Sequence, residues 1–297
     1  MGDARHGPIN GKGTALRLGA TIHRFCGLRI DDPSAYLSVC RKFGFRAATC
    51  PDHQLGDLAQ LRAIRKDFSL ADVVIAEIGG WANCLDPRTE ERQQAIATVA
   101  EALAVADELD ATCCINIAGS YNTKSMYAPH PDNFSDDAFD AVVQWIQQVL
   151  HEVRPRRAKL TIEAMPWTPI CTPAKYQKLC EAVDHAAFAV HLDPFNFVTD
   201  AEVYFRTGAL IDHCFDLFGD RIVACHAKDI WQLDPKTVQL TEVPPGKGIF
   251  DYRQFVRRAH QLSPEMPMVL EHLDTELEYQ QATEFVRTVA VEVGASC

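Results

Sequence analysis

Several features that would assign this chain to a common class are missing from its sequence. No apolar run approaches the ~18 residues that a membrane-spanning helix needs. No Gly-x-Gly-x-x-Gly follows any strand candidate, which counts against a dinucleotide-binding open sheet. No Cys-x-x-Cys pair suggests a zinc knuckle or a redox site, and the 11 cysteines are irregularly spaced. We therefore expect reduced thiols and no disulfide framework.

Positive charge is also scarce. The chain has 29 Lys and Arg against 40 Asp and Glu, which gives a net charge of −11. Because a nucleic-acid backbone requires a basic protein face, we expect no nucleic-acid partner. Residues 1–14 are polar and glycine-rich and lack the apolar segment of a signal peptide, so we expect a flexible arm there. These observations predict a cytoplasmic protein with no membrane partner.

The sequence does contain a regular alternation of strand-like and helical segments. The strand candidates are rich in Val, Ile, Leu and Ala, as is typical of parallel strands that are buried on both faces. Eight such repeats over residues 15–297, without a break in composition, predict one (β/α)8 TIM barrel domain, with a doubly wound sheet as the alternative. The predicted strands are 16–21, 45–50, 71–78, 112–118, 160–164, 188–193, 222–227 and 268–272. The predicted helices are 33–43, 54–66, 89–109, 136–153, 173–183, 210–218, 252–261 and 275–293.

Two predicted connections are longer than the usual span of about 2 to 6 residues. Residues 119–135 follow the fourth strand, and residues 228–251 follow the seventh. Both begin at the carboxyl end of a strand, where barrels build their active sites. We interpret them as lids or substrate walls, with plain surface insertions as the alternative.

Four consecutive strand candidates end in an acidic residue or a histidine. These residues are Glu163, Asp193, His226 and Glu271. Taken singly, each has an ordinary explanation, such as a helix cap or a hydrogen-bonded core histidine. Together they are expected to converge, because the carboxyl ends of parallel barrel strands share one face. Three carboxylates and one imidazole suit Mn²⁺, Mg²⁺ or Co²⁺ better than structural zinc, so we predict one divalent metal, most simply Mn²⁺, held by these four residues.

The motifs around these residues resemble those of the xylose isomerase-like barrels, over nearly the whole chain. The matching strand ends are Ile162-Glu163, Leu192-Asp193-Pro194, His226-Ala227-Lys228-Asp229 and Leu270-Glu271. Segments 76–81, 116–120, 129–133, 163–167 and 191–196 resemble a subgroup described as sugar phosphate isomerase/epimerase. The resemblance implies a metal-dependent isomerase or epimerase of a small keto-sugar or polyol ketone, with Zn²⁺ as a further metal choice. It implies that Glu163 and Glu271 bind the metal and also act as acid and base through a metal-stabilised enediolate.

Three positions depart from the ketose 3-epimerases of this family. Those enzymes have Glu, His and Arg where this chain has Pro169, Asn196 and Gln232, so an identical hold on a ketohexose is not expected. The His-x-Lys-Asp segment is similar to that of inosose dehydratases, which makes a dehydratase, lyase or decarboxylase of a keto-sugar or inosose the alternative. A non-catalytic sugar-binding subunit is a more distant alternative. So is an enzyme like endonuclease IV, which needs three zinc ions and more histidines than His53 supplies.

Further residues near the strand ends are candidate substrate contacts. They are Lys228, Asn196, Trp81, Trp167, Asn116 and His130. The Lys228 ammonium could bind a substrate oxygen; the alternative is a solvated salt bridge to Asp229. The indoles of Trp81 and Trp167 could stack on a sugar, or they could pack in the core.

The remaining candidates have equally plain alternatives. Asn116 and Glu77 lie near the predicted mouth and could contact substrate or support the residues that do. His130 could belong to a lid, or it could belong to a rigid turn between Pro129 and Pro131. His191 shares a face with Asp193 and is interpreted mainly as barrel filling. Barrels of this kind often pair through their outer helices, so a homo-oligomer is also open.

Overall fold

The computed structural model describes residues 15–21, 32–50 and 55–297. The predicted arm at 1–14 and His53 lie outside these ranges. The strands are β1 (Arg17–Ala20), β2 (Ala47–Thr49), β3 (Val74–Gly79), β4 (Cys113–Ile117), β5 (Lys159–Glu163), β6 (Phe188–Leu192), β7 (Ile222–Ala227), β8 (Asp229–Asp234), β9 (Gln239–Val243) and β10 (Pro267–Leu270). All except β8 and β9 form one closed parallel barrel in the order β1-β10-β7-β6-β5-β4-β3-β2. The predicted TIM barrel is confirmed.

Helices join successive barrel strands. They are α1 (Pro33–Phe43), α2 (Leu58–Leu70), α3 (Thr89–Leu109), α4 (Asp136–Val153), α5 (Pro173–Val183), α6 (Ala201–Tyr204), α7 (Thr207–Phe218), α8 (Tyr252–Leu262) and α9 (Glu276–Glu292). Helices α1, α3, α4 and α5 have the predicted bounds. The start of α4 is set by Ser135, whose hydroxyl accepts a bond from the Ala138 N–H (3.1 Å), and Thr172 does the same for α5.

The second helix and the third strand both begin later in the chain than predicted. Asp57 caps α2 by accepting a bond from the Gln60 N–H (3.0 Å), so the helix starts at Leu58 and continues to Leu70. Asp72 then takes a left-handed backbone conformation (φ 56°), and β3 begins only at Val74. The apolar run at 71–78 therefore includes a turn as well as a strand.

A β-hairpin projects from the carboxyl end of the barrel. The segment predicted as a long loop after the seventh strand contains β8 and β9, which pair antiparallel with Trp231 opposite Thr241. It begins at Asp229, two residues after the end of β7 at Ala227, so its residues lie at the mouth of the barrel. The interpretation of 228–251 as a wall of the site is consistent with this placement.

The main hydrophobic core lies between the strands and the helices around them. A second, small cluster contains Ala47, Ala76 and Val269, on β2, β3 and β10. The cysteines of the described chain are unpaired, and most are buried. Among the described residues, no helix is long and apolar enough to cross a membrane.

Candidate metal centre

The four predicted metal ligands converge at the carboxyl ends of β5, β6, β7 and β10. One atom from each of Glu163, Asp193, His226 and Glu271 lies within 4.8 Å of the other three. All four residues are buried, with exposures of 1–6%. Residues that are separated by up to about a hundred positions therefore meet at one point, because consecutive barrel strands end on one face.

The orientation of His226 supports a metal centre at this point. Its Nδ1 atom is buried, has no hydrogen-bond partner among the described residues, and faces the three carboxylates. The nearest oxygens are Oε1 of Glu271 at 3.2 Å, Oε1 of Glu163 at 3.5 Å and Oδ2 of Asp193 at 3.7 Å. An imidazole nitrogen that points into a group of carboxylate oxygens is the donor set expected for a divalent cation. The residues present therefore fit the predicted metal.

Glu77 on β3 holds the other side of the His226 ring. Its Oε2 atom lies 3.0 Å from Nε2 of His226 and 2.9 Å from Nε2 of His191. The ring of His191 also packs edge-on against that of His226, with 4.1 Å between centroids. A carboxylate on Nε2 keeps the proton there and leaves Nδ1 free, which is how proteins commonly orient a histidine that binds metal. Glu77 is thus a supporting residue, one of the two roles predicted for it.

The charges of the cluster shift the pKa values of its members in opposite directions. Burial raises the pKa of Glu163 to about 7, although His226 beside it opposes the change. For Glu271, burial also raises the pKa, but the charges of His226 and Lys228 outweigh it and hold the value well below the usual range. Burial lowers the pKa of His226, and the carboxylates of Glu271 and Glu77 reverse this and raise it well above normal. A field that favours a proton on the ring also favours a cation among the carboxylates.

We expect Glu77→Gln to weaken metal binding. The substitution keeps the size of the side chain but removes the charge that orients the His226 ring, and such supporting residues are worth about tenfold to a hundredfold in metal affinity. Titration calorimetry with Mn²⁺ measures the change. Glu265→Gln is the control. Glu265 lies just before β10, at the end of the barrel opposite to the centre, and forms a salt bridge with Arg17 (3.1 Å). Equal affinities in the two variants would show that Glu77 does not act on the centre.

Two of the predicted substrate contacts lie at the cluster itself. Lys228 is 2% exposed, and its Nζ is 2.7 Å from Oδ2 of Asp193 and 2.8 Å from Oε1 of Glu271. The alternative of a solvated salt bridge to Asp229 is wrong, because the ammonium is buried among other carboxylates. Asn196 donates its amide to Oε1 of Glu163 (2.9 Å) and to Oδ2 of Asp193 (3.0 Å). It links two of the predicted ligands.

Of the other predicted substrate contacts, two form hydrogen bonds with loop backbone and two are exposed to solvent. Asn116 is fully buried, and its amide exchanges two bonds with the Ala82 backbone (3.1 Å each), which fits a supporting role better than direct contact. The His130 ring accepts a bond from the Asp132 N–H (3.3 Å) at the start of a short 3-10 helix, as the rigid-turn alternative predicts. Trp81 and Trp167 are 44% and 55% exposed, so core packing does not explain them. Their stacking on a sugar stays a prediction.

Comparison with known proteins places this architecture in a family. The sequence profile described as xylose isomerase-like TIM barrel matches residues 37–289. The chain belongs to the xylose isomerase-like TIM barrel family. No curated protein matches it.

Solved structures share the fold of this xylose isomerase-like barrel at low sequence identity. D-psicose 3-epimerase with D-tagatose from Clostridium cellulolyticum H10 has a TM-score of 0.69 at 15% identity, over 95% of this chain and 100% of that one. A xylose isomerase-like protein from Mycobacterium smegmatis in complex with magnesium has a TM-score of 0.67 at 18% identity, over 94% and 98%. The probable 3-DHS dehydratase AsbF from Bacillus anthracis has a TM-score of 0.67 at 14% identity, over 93% and 98%. The neighbours of this family member thus include an epimerase and a dehydratase.

The sequence of this xylose isomerase-like barrel did not reveal two residues at the mouth. The first is Glu242 on β9, whose Oε1 atom lies 2.9 Å from Nζ of Lys228. Its other oxygen is paired with Nδ1 of His272, the residue after Glu271, which has a left-handed backbone (φ 56°). The alternation of Leu240, Thr241 and Glu242 after Pro235 is a signal for a hairpin strand, but it does not place Glu242 above the centre.

Asp229 fixes the base of the hairpin in this family member. Its carboxylate accepts bonds from four backbone N–H groups, at 2.8 Å from Ile230 and 3.0 Å from Gly246, Gly248 and Phe250. Gly246 has φ 85°, and a Cβ on Gly248 would lie 2.2 Å from Oδ1 of Asp229. The backbone geometry at both positions therefore favours glycine. The hairpin therefore starts and ends at one buried carboxylate.

Proposed function

We propose that this chain is a divalent-metal-dependent isomerase or epimerase of a small keto-sugar or polyol ketone. The observation that carries the proposal is the convergence of Glu163, Asp193, His226 and Glu271, with Nδ1 of His226 unpartnered and directed at the three carboxylates. An epimerase with a bound sugar and a protein with bound magnesium among the structural neighbours support the same class. Mn²⁺ is the proposed ion, with Mg²⁺, Co²⁺ and Zn²⁺ as alternatives.

Two glutamates on opposite sides of the centre would move the proton. Glu163 ends β5 and Glu271 follows β10, and β6 and β7 lie between these strands in the barrel. When bound, the cation would polarise the substrate carbonyl and acidify the neighbouring C–H. Glu271, whose pKa is held low, is the proposed base, and Glu163, with a pKa raised to about 7, is the proposed acid that returns the proton. Asn196 holds Glu163 in place for this step.

Metal removal tests the centre directly. We expect the purified protein to contain a divalent ion and to lose thermal stability when a chelator is added, with recovery on Mn²⁺ addition. At a free ion concentration of about 100 times Kd, binding adds about 2.7 kcal/mol to the free energy of unfolding. Metal analysis and thermal denaturation at several pH values measure both quantities. If no divalent ion binds at any pH, the proposed metal centre is wrong.

Elimination is the second candidate, and the buried Lys228 ammonium favours it. An ammonium 2.8 Å from the proposed base can donate a proton to a leaving hydroxyl as well as to a carbonyl oxygen. A dehydratase, lyase or decarboxylase would begin with the same proton abstraction and then lose a group. The probable dehydratase among the structural neighbours is consistent with this outcome.

Incubation in D₂O separates the two candidates. The metal-loaded protein is mixed with a panel of keto-sugars and inositol ketones, and the products are followed by NMR and mass spectrometry. Deuterium in an isomer of the same composition supports isomerisation or epimerisation. Loss of water or carbon dioxide supports elimination. A panel in which no compound exchanges or reacts would favour a sugar-binding subunit.

A further inference from the structure

The Lys228 ammonium is surrounded by three carboxylates in the described part of the chain. Its Nζ lies 2.7 Å from Asp193, 2.8 Å from Glu271 and 2.9 Å from Glu242. An ammonium has three N–H donors, so these three oxygens can satisfy all of them. Lys228 is therefore held as an internal cation by carboxylates of this chain.

Two of these three oxygens belong to the proposed metal centre. Oδ2 of Asp193 and Oε1 of Glu271 are also the carboxylate atoms that face Nδ1 of His226, at 3.7 Å and 3.2 Å. A divalent cation bound by these atoms would lie next to a positive charge that uses the same oxygens. Like charges repel strongly at this separation, above all when buried. The ammonium and the metal therefore compete for Asp193 and Glu271.

The third oxygen is outside the metal centre. Glu242 reaches over the mouth from β9, and its side chain is 42% exposed. His272 pairs with its second oxygen and fixes the carboxylate from the other side. Because Asp229 anchors the base of the hairpin, the position of Glu242 above the barrel does not depend on Lys228 alone. It is an acceptor that an incoming metal leaves untouched.

We propose that Lys228 is a tethered counter-ion that occupies the carboxylates of the centre in the metal-free protein. When a divalent cation binds Asp193 and Glu271, the Lys228 ammonium stays paired with Glu242, which is therefore its positioning residue. The inference rests on the proposed metal centre. It explains why the chain buries a lysine among its own predicted ligands, and it places the ammonium at the mouth, beside the substrate, once metal is bound.

Mn²⁺ affinity at one fixed pH tests the competition. Lys228→Met removes the competing charge and keeps the length of the side chain, so Mn²⁺ should bind at least about tenfold more tightly than in the unsubstituted protein. A residue that only supported the fold would not produce tighter binding. Equal or weaker binding by Lys228→Met overturns the proposal. If this variant does not fold alone, Mn²⁺ should restore its folding by supplying the missing charge, and failure of that rescue is equally fatal.

A double-mutant cycle tests the role of Glu242. Glu242→Gln should weaken Mn²⁺ binding several-fold when Lys228 is present and have little effect in the Lys228→Met background, because no ammonium then needs a carboxylate. The same loss in both backgrounds would mean that Glu242 acts on the ion directly and not through Lys228. Glu265→Gln, with a side chain 45% exposed, is the control and should leave the affinity unchanged. If the unsubstituted protein binds no Mn²⁺, the metal centre itself is wrong; if it binds and Lys228→Met binds no better, only this inference fails.

Discussion

Glu163→Gln should lower the rate of substrate C–H exchange in D₂O by about a hundredfold to ten-thousandfold. Gln keeps the shape of the side chain and can still offer an oxygen, but it cannot carry a proton to or from the substrate. The carboxyl is buried, and burial raises its pKa to about 7 in the metal-free protein, which is the direction that a proton-returning acid requires. The expected loss is therefore in the rate of the proton step.

The measurement is deuterium incorporation by NMR at saturating Mn²⁺, with metal content determined on the same sample. Glu271→Gln should give a loss of similar size, because the second glutamate completes the transfer. Glu181→Gln, an exposed position on α5, is the matched control and should leave the rate unchanged. Exchange at the normal rate in both Glu163→Gln and Glu271→Gln would remove the acid–base assignment while leaving the metal centre intact.

The pKa values of Glu163 and Glu271 shift in opposite directions because the positively charged side chains lie closer to Glu271. Glu271 is 2.8 Å from the Lys228 ammonium and 3.2 Å from Nδ1 of His226. Glu163 is farther from that nitrogen, at 3.5 Å, and its close polar contact is the neutral amide of Asn196. Burial opposes ionisation in both, but only Glu271 has two close positive charges to reverse it. In the metal-free protein, the pKa values of these two carboxyl groups in one cluster are therefore shifted in opposite directions.

The convergence of the candidate metal ligands could be predicted from the sequence, because it follows from the topology of the barrel. Glu163, Asp193, His226 and Glu271 each end an apolar run, and parallel strands place such ends on one face without further information. The strand type and order followed from hydrophobic periodicity. These are local signals, so one sequence contains them.

The contacts made across the mouth could not be predicted in this way. Nothing near Lys228 in the sequence shows whether its side chain turns outward to Asp229 or inward to Glu271. Glu242 belongs to a hairpin whose angle over the barrel depends on the buried Asp229, and Asn116 is used by a loop 34 residues earlier in the chain. Each depends on the path of a loop, which hydrophobic periodicity does not encode.

The second large effect is expected at Asp229, which holds the hairpin. Each of its oxygens accepts two backbone N–H bonds: Oδ1 from Ile230 and Phe250, and Oδ2 from Gly246 and Gly248. Asn has one acceptor oxygen, so Asp229→Asn would turn an NH₂ group toward two buried N–H donors. Burial raises the pKa of the Asp229 carboxyl in spite of these bonds, so the negative charge itself is not favoured at this position. The destabilisation by Asp229→Asn should therefore come mainly from the lost hydrogen-bond acceptors and less from the lost charge.

We therefore expect Asp229→Asn to lower the free energy of unfolding by about 3 kcal/mol, because two buried donors lose their partners. Urea denaturation measures this change. Asp234→Asn is the matched control on the same hairpin: Asp234 caps a turn through the Lys236 N–H (2.8 Å), a bond that Asn makes equally well, so a change within about 0.5 kcal/mol is expected. Since the position of Glu242 depends on this anchor, Asp229→Asn should also weaken Mn²⁺ binding, as is expected for Glu242→Gln. Normal stability in Asp229→Asn would mean that the hairpin is held elsewhere, by the Glu242 pairs with Lys228 and His272.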